Sequence, residues 1–283
     1  MSKVIITTFT DPMMGLSYER EPVFRKLETH FREKIAFRYV MAGLVRDVSD
    51  FMTPEELAME PEEGIKAYCA RLAEIYKSEE YIGGLPIHMD GFHLFDSTHR
   101  SSWPLDIAFK AAALTAPEKA ERFLYNLRYA TIVETRQTTR TDELLRVAEE
   151  TGIDKGPFLE AFQNGAAEAA FLEDLRDTRS LGIRGLPAYL IEYEDKALLV
   201  RSPGEYETFT ALIDRITEGW IKPQSPNMTT SELEDFFRKH PLISEMELMA
   251  AFNLKESELP DRIREIGRLS FSPKIFRDRQ LPV

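Results

Sequence analysis

Cysteine is the residue this sequence has least of: Cys69 is the single one among 283 residues. One thiol closes no intrachain disulfide and forms no two-thiol redox centre, so a disulfide-stapled fold is excluded. Long apolar runs are also missing. No stretch reaches the roughly 18 uninterrupted apolar residues that a membrane-spanning helix needs. The start, Met1-Ser2-Lys3-Val4-Ile5-Ile6-Thr7-Thr8, lacks the apolar core and small-residue cleavage site of a secretory signal, so a bacterial-type cytoplasmic location is expected. Positive charge is short as well: 36 Lys and Arg face 48 Asp and Glu, for a net charge of −12. That balance argues against nucleic acid or an anionic membrane as partner. What is present is a 43% apolar and 11% aromatic composition. This is too rich for a disordered chain, and the length suits one large or two unequal domains.

The chain opens with a strand. Val4 to Thr10 is dense in β-branched residues and stops at Asp11-Pro12. Its near-continuous apolar start predicts burial on both faces. A helix is expected next, capped by Ser17, with Glu19 and Glu21 in its first turn and Phe24, Leu27 and Phe31 on one face. Ile35, Phe37, Tyr39 and Met41 then alternate as a second strand, completing a β-α-β unit. Residues 54 to 180 read as helical almost throughout, as about five helices, with a loop-rich stretch from Gly83 to Pro104. After Gly185-Leu186-Pro187, Ala188–Tyr193 and Ala197–Val200 form a hairpin, and a helix carries Tyr206, Phe209, Leu212, Ile213 and Ile216.

Lys222-Pro223-Gln224-Ser225-Pro226-Asn227 reads as a linker. Beyond it, Thr229 or Thr230 caps a helix with Leu233, Phe236 and Phe237. Ile243–Phe252 is expected as a second helix, Asn253-Leu254 as a turn, and Pro260 opens a third with Ile263 and Ile266. The tail, Phe271–Val283, is expected to add an extended piece. The spacing suits a helix-turn-helix-like module. Nine basic and ten acidic residues from 223 onward do not suit a DNA reader, and only the tail, with Lys274, Arg277 and Arg279 against Asp278, is locally positive. Packing on the main domain or pairing with a partner is the preferred role.

A β-α-β half and a β-β-α half around a helical block resemble the DsbA family of thioredoxin-fold proteins. Three segments carry the resemblance. Phe9-Thr10-Asp11-Pro12-Met13-Met14-Gly15-Leu16-Ser17-Tyr18 is similar to the family's strand, D-P and C-x-x-C. Gly182-Ile183-Arg184-Gly185-Leu186-Pro187 is similar to its G-x-x-G-x-P, and Ser101-Ser102-Trp103-Pro104 with Ala108-Phe109-Lys110-Ala111-Ala112 to a stretch of cytoplasmic DsbA-like proteins. The resemblance implies an α/β thioredoxin-like domain at 1–53 and 181–222, an inserted helical domain at 54–180, and the helical module at 223–283.

It also locates a departure. Met14 and Ser17 stand at the cysteine positions. Thiol–disulfide exchange needs an attacking thiolate and a resolving thiol, and neither residue supplies one. The resemblance makes Pro187 a cis-proline whose backbone edge, with Leu186, Met14, Gly15, Leu16 and Ser17, binds a peptide, a protein partner or a small thiol. Arg184 beside that edge is a carboxylate partner or a plain surface charge. Ser17 is a helix cap or, as the catalytic candidate, a thiolate-binding group at a helix end. That second role would suit a glutathione-dependent transferase or isomerase, the only way glutathione enters as a cofactor. A further alternative is a disulfide oxidoreductase by family alone, without the residues that do the chemistry. Met13, Met14 and Leu16 form either an adaptable apolar patch or a surface buried under the helical block. Cys69, in a helical pattern, reads as a small buried hydrophobe. His88, His93 and His99 with Asp90 and Asp96 match no zinc spacing, so capping is favoured over a metal and no metal is expected.

Overall fold

The computed structural model describes residues 2–201, 204–271 and 273–277. Strand β1 (Val4–Thr10) lies inside a four-stranded sheet, between β2 (Ile35–Met41) and β3 (Ala188–Tyr193), with β4 (Lys196–Val200) beyond β3. Strand β2 (Ile35–Met41) runs parallel to it, Val4 opposite Ile35 and Thr10 opposite Met41. Strands β3 (Ala188–Tyr193) and β4 (Lys196–Val200) form the predicted hairpin. Strand β3 is antiparallel to β1, with Phe9 opposite Ala188 and Thr8 opposite Tyr189. The β-branched run of β1 fits a pleated strand flanked on both sides, and all but Ile5 of its residues are buried.

One sheet face carries Val4, Ile6, Ile35, Tyr189 and Ile191. It packs on Phe24, Leu27 and Phe31 of α2 (Glu21–Phe31) and on Phe209, Ile213 and Ile216 of α10 (Tyr206–Ile216). The single helix expected from Ser17 is in fact two. A short α1 (Gly15–Tyr18) precedes α2, and the cap position of α1 is Met14, whose side chain makes no capping bond. Ser17 lies inside α1, so its expected role as helix cap is corrected. Its hydroxyl is instead bonded to Thr10 Oγ1 on the neighbouring strand end, at 2.7 Å.

Between β2 and β3 the chain is helical: α3 (Pro54–Leu57), α4 (Pro61–Glu79), α5 (Trp103–Thr115), α6 (Ala120–Ile132), α7 (Thr141–Glu150), α8 (Lys155–Gln163) and α9 (Ala166–Ser180). These are more pieces than the five expected. The one-turn α3 is fixed by a local capping box, Thr53 with Glu56, which the apolar periodicity does not register. The loop-rich stretch stands without helix or strand between α4 and α5. Tyr68, Cys69 and Leu72 of α4, Leu105 and Ala108 of α5, Phe123 and Leu127 of α6 and Phe158 of α8 share one core with Met13 and Tyr18. Cys69 is buried there, its Sγ 3.6 Å from the Phe95 carbonyl oxygen.

The C-terminal part contains α11 (Thr230–Lys239), β5 (Leu242–Ser244), α12 (Glu245–Phe252), α13 (Leu259–Ile266) and β6 (Lys274–Phe276). Thr229 caps α11 and Pro260 sits in the first turn of α13, as expected. The helix expected from Ile243 begins two residues later. Ile243 and Ser244 are extended, paired in parallel with Ile275 and Phe276, and Ser244 caps α12 in a capping box with Glu247. The extended piece of the tail is β6, while Asp278 and Arg279 lie outside the described residues. Helix α12 packs directly on α2, so this part sits against the sheet-covering helix rather than apart from it.

Candidate functional site

Strand β1 delivers Thr10 to the end of the sheet, and the chain turns there at Asp11-Pro12. The turn is held from both sides. Asp11 is fully buried and accepts from Met13 N (3.0 Å), Leu44 N (2.7 Å) and Ser102 Oγ (2.6 Å). Burial raises its pKa, and these bonds oppose the rise. Asp106, also fully buried, is pushed well above its ordinary value by burial and then by the Asp11 charge. The S-x-P stretch of the sequence thus supplies the serine that anchors the turn.

The turn sets Met14 and Ser17 side by side. Met14 Sδ is 4.0 Å from Ser17 Oγ and 4.0 Å from Thr10 Oγ1. Ser17 Oγ shares a 2.7 Å hydrogen bond with Thr10 Oγ1, which also accepts from Arg128 Nη2 at 3.1 Å. Pro187 follows a cis peptide bond from Leu186. It stands one residue beyond the last β1–β3 pair, Phe9–Ala188, and so across from Thr10. Leu186, half-buried, packs with Phe9, Val40 and Ile183. The two distant segments therefore meet through Thr10. Arg184 is fully outside this contact: it is exposed, and its side chain makes no ion pair among the described residues. Leu16 is half-buried at the rim.

The mouth is roofed by the helical block. Met13 is 2% exposed, Met14 6% and Ser17 4%, so the apolar loop is buried rather than presented. Tyr76 of α4 donates its hydroxyl to the Met13 carbonyl oxygen. Glu19 accepts from Gly83 N (2.7 Å) and Leu85 N (3.3 Å), tying the loop after α4 to the end of α1. Burial pushes Glu19 up to about 8 against the pull of these bonds, and pushes Glu79 up to about 7. Gly15 is required here, since a methyl group at its Cα would run into Glu79 Oε2 and lie 2.6 Å from Tyr76 Cδ1.

This arrangement limits the chemistry. A thioether and a hydroxyl occupy the positions of attack and resolution, so disulfide exchange has no nucleophile and no resolving group. Ser17 has hydroxyl and sulfur neighbours, and among the described residues no imidazole or carboxylate bonds to it as a base. The histidines are spread over separate partners: His88 on the Val133 carbonyl, His93 on the Gly91 carbonyl, His99 on Asp96. Among the described residues no three His, Cys, Asp or Glu side chains gather as a metal site.

Sequence reasoning missed a buried ionic chain behind the mouth. Arg128 of α6 donates to Glu21 Oε1 at 2.6 Å, and Glu21 Oε2 accepts from Arg25 at 3.0 Å. Arg25 Nε reaches Glu247 of α12 at 3.2 Å. Glu247 also accepts from Tyr125 OH (2.5 Å), Ser244 N (2.9 Å) and Ser244 Oγ (2.8 Å), and is 0% exposed. Burial raises the Glu247 pKa and the Arg25 charge opposes it, while Glu21 and Glu247 overcome the effect of burial and hold Arg25 well above its usual value. One signal was legible: Ser244 followed three residues later by Glu247 is a capping box.

The sheet order, the inserted helices and the single cysteine define a DsbA-type thioredoxin-like protein that lacks a redox cysteine pair. The family model described as thioredoxin matches residues 7–211, most of the chain, and the chain belongs to that family. It is similar to the ClpXP adapter protein SpxH of Halalkalibacterium halodurans, 22% identical over 264 residues that cover 92% of this chain and 82% of the relative. Its fold is similar to that of a putative protein disulfide isomerase from Nitrosomonas europaea (TM-score 0.63, 18% identity, 77% of this chain and 99% of that one). It is also similar to the cytosolic disulfide reductase DsbM from Pseudomonas aeruginosa (TM-score 0.55, 20% identity, 75% and 98%). No helix among the described residues is long and apolar enough to cross a membrane.

Proposed function

We propose that this chain is a non-redox adapter that binds a protein substrate and hands it to an ATP-dependent protease of the ClpXP kind, in the cytoplasm. The observation that carries the reading is Met14 Sδ and Ser17 Oγ, 4.0 Å apart, where a disulfide-exchanging relative needs two thiols. Coverage supports it. The reductase-type structures spend nearly their whole length on about three quarters of this chain, whereas the adapter match spans 92% and so reaches beyond residue 223. A thioredoxin-like body bearing a further docked part is what an adapter with more than one partner needs. A glutathione-dependent reading of Ser17 has little support, because the residue is 4% exposed and its hydroxyl is already bonded.

On this reading the segment of exposed Arg184 and Gly185 and half-buried Leu186, beside Pro187, takes the partner chain by main-chain pairing. The test has two arms. The full chain is expected to leave insulin disulfides intact, and to accelerate the loss of at least one protein when added to purified ClpXP, ATP and a bacterial extract. Insulin reduction at the rate of an active reductase, or an extract whose degradation profile does not change, would refute the proposal.

A further inference from the structure

A small cavity of about 10 Å³ lies beside Ser17, walled by Thr8, Glu21, Arg128 and Tyr189 together with Phe24 and Tyr39. Three buried polar atoms of its walls have no hydrogen-bond partner among the described residues: Thr8 Oγ1, Tyr189 OH and Arg128 Nε. Their residues are 3%, 0% and 2% exposed. The placement follows from the fold. Thr8 and Tyr189 are opposite each other in the β1–β3 register, so their side chains leave the same sheet face. Arg128 enters from α6 with its terminal nitrogens committed to Glu21 and Thr10, which leaves Nε–H directed elsewhere.

Buried polar groups without partners are rare in folded proteins, and three around one void point to a shared occupant. The void matches the roughly 10–15 Å³ that a single water requires, and a buried water makes about three hydrogen bonds. The atoms also suit water in kind. Nε–H only donates, while the two hydroxyls donate or accept, so one oxygen with two hydrogens satisfies all three. An apolar guest would leave every one of them unpaired. An anion would find the Arg128 charge already matched by Glu21 at 2.6 Å. We infer that this cavity is a binding site for one water molecule held by Tyr189 OH, Thr8 Oγ1 and Arg128 Nε. The water joins the strand that follows Pro187 to Arg128, and from there the path runs through Glu21 and Arg25 to Glu247 of α12. The inference stands independently of the adapter reading.

A crystal structure of the full chain at a resolution that shows ordered water is expected to place one oxygen within hydrogen-bond reach of all three atoms. In solution, oxygen-17 relaxation dispersion is expected to count one long-lived internal water fewer in the Thr8→Val, Tyr189→Phe double variant than in the unchanged chain. No density there, or closure by a direct Thr8–Tyr189 hydrogen bond, overturns the inference. So does an unchanged count in a double variant whose circular dichroism shows it folded. If that variant does not fold, the crystallographic arm decides.

Discussion

The mouth at Met14–Ser17 and the joint between α2 and α12 are both buried, and each has to deal with carboxyl groups in a low dielectric. At the mouth the carboxyls have few cationic partners. Asp106, Glu19 and Glu79 are all raised by burial, Glu19 to about 8 and Glu79 to about 7, so protons do the neutralising. At the joint Glu21 and Glu247 meet Arg25 and Arg128, and the Arg25 charge opposes the rise that burial imposes on Glu247. A site neutralised by protons responds to pH. A site neutralised by ion pairs resists pH and fails when one partner is cut away. The two are joined end to end, since Arg128 touches Thr10 of the mouth and Glu21 of the joint.

The joint gives the largest expected effect. Glu247→Ala takes their shared partner from Arg25 and Tyr125 and leaves Arg25 to Glu21 and Glu121, and cutting into a buried ion pair in this way costs about 3 kcal/mol. Urea unfolding of the full chain measures it as a lower midpoint. Adding Arg25→Met to Glu247→Leu should not restore the loss, because Arg25→Met also takes a cation from Glu21 and Glu121. A Glu247→Ala variant as stable as the unchanged chain would mean that charge does not hold the joint.

At the mouth, Gly15→Ala forces a methyl group against Glu79 Oε2 and the Tyr76 ring. Overpacking of this kind costs about 1–3 kcal/mol, and Tyr76 also loses its fixed approach to the Met13 carbonyl. Thermal unfolding checks it. A melting temperature at or above that of the unchanged chain would show that the roof yields freely, contrary to the packed mouth described here.

The proton-neutralised half predicts a pH response. Glu19 is held at about 8 by burial against an ordinary value of 4.5, so the folded chain keeps a proton that the unfolded chain has released. Its stabilising contribution is complete below the unfolded value and is lost as pH rises towards 8. Glu79, at about 7, acts in the same direction. Glu19→Gln should therefore flatten the fall in unfolding free energy between pH 5 and pH 8, approximately, and should gain on the unchanged chain at the upper end. Denaturant midpoints across this range test it, and identical slopes for the two proteins would remove Glu19 from the account.

This contrast also marks what was legible in the sequence. The strand at Val4–Thr10, the alternation of Ile35, Phe37, Tyr39 and Met41, and the hairpin after Pro187 each follow from side chains that answer to their own strand. The pairing of Met14 with Ser17 was legible too, because the D-P turn and the G-x-x-G-x-P segment are local. Burial of Met13 and Met14 is one of two readings the local sequence allows, since what decides it is Tyr76, more than 60 residues away. The joint was illegible for the same reason. Arg25 lies on the charged face of an amphipathic helix, and such a face reads as solvated unless something covers it. The cover is α12, 222 residues further on, and nothing near Arg25 in the sequence announces it.

Arg184 carries the smallest expected effect on stability and the sharpest one on function. It is exposed, has no side-chain partner among the described residues, and belongs to neither the mouth nor the joint. Arg184→Ala should leave unfolding within about 0.5 kcal/mol of the unchanged chain, the usual range for a surface substitution away from special features. If the edge beside Pro187 receives the partner, the same change weakens the delivered degradation while the fold is intact. Gly15→Ala and Glu247→Ala weaken both together. A normal rate of delivered degradation in Arg184→Ala would move the partner away from this edge and towards the surfaces around α12, where the ionic chain ends.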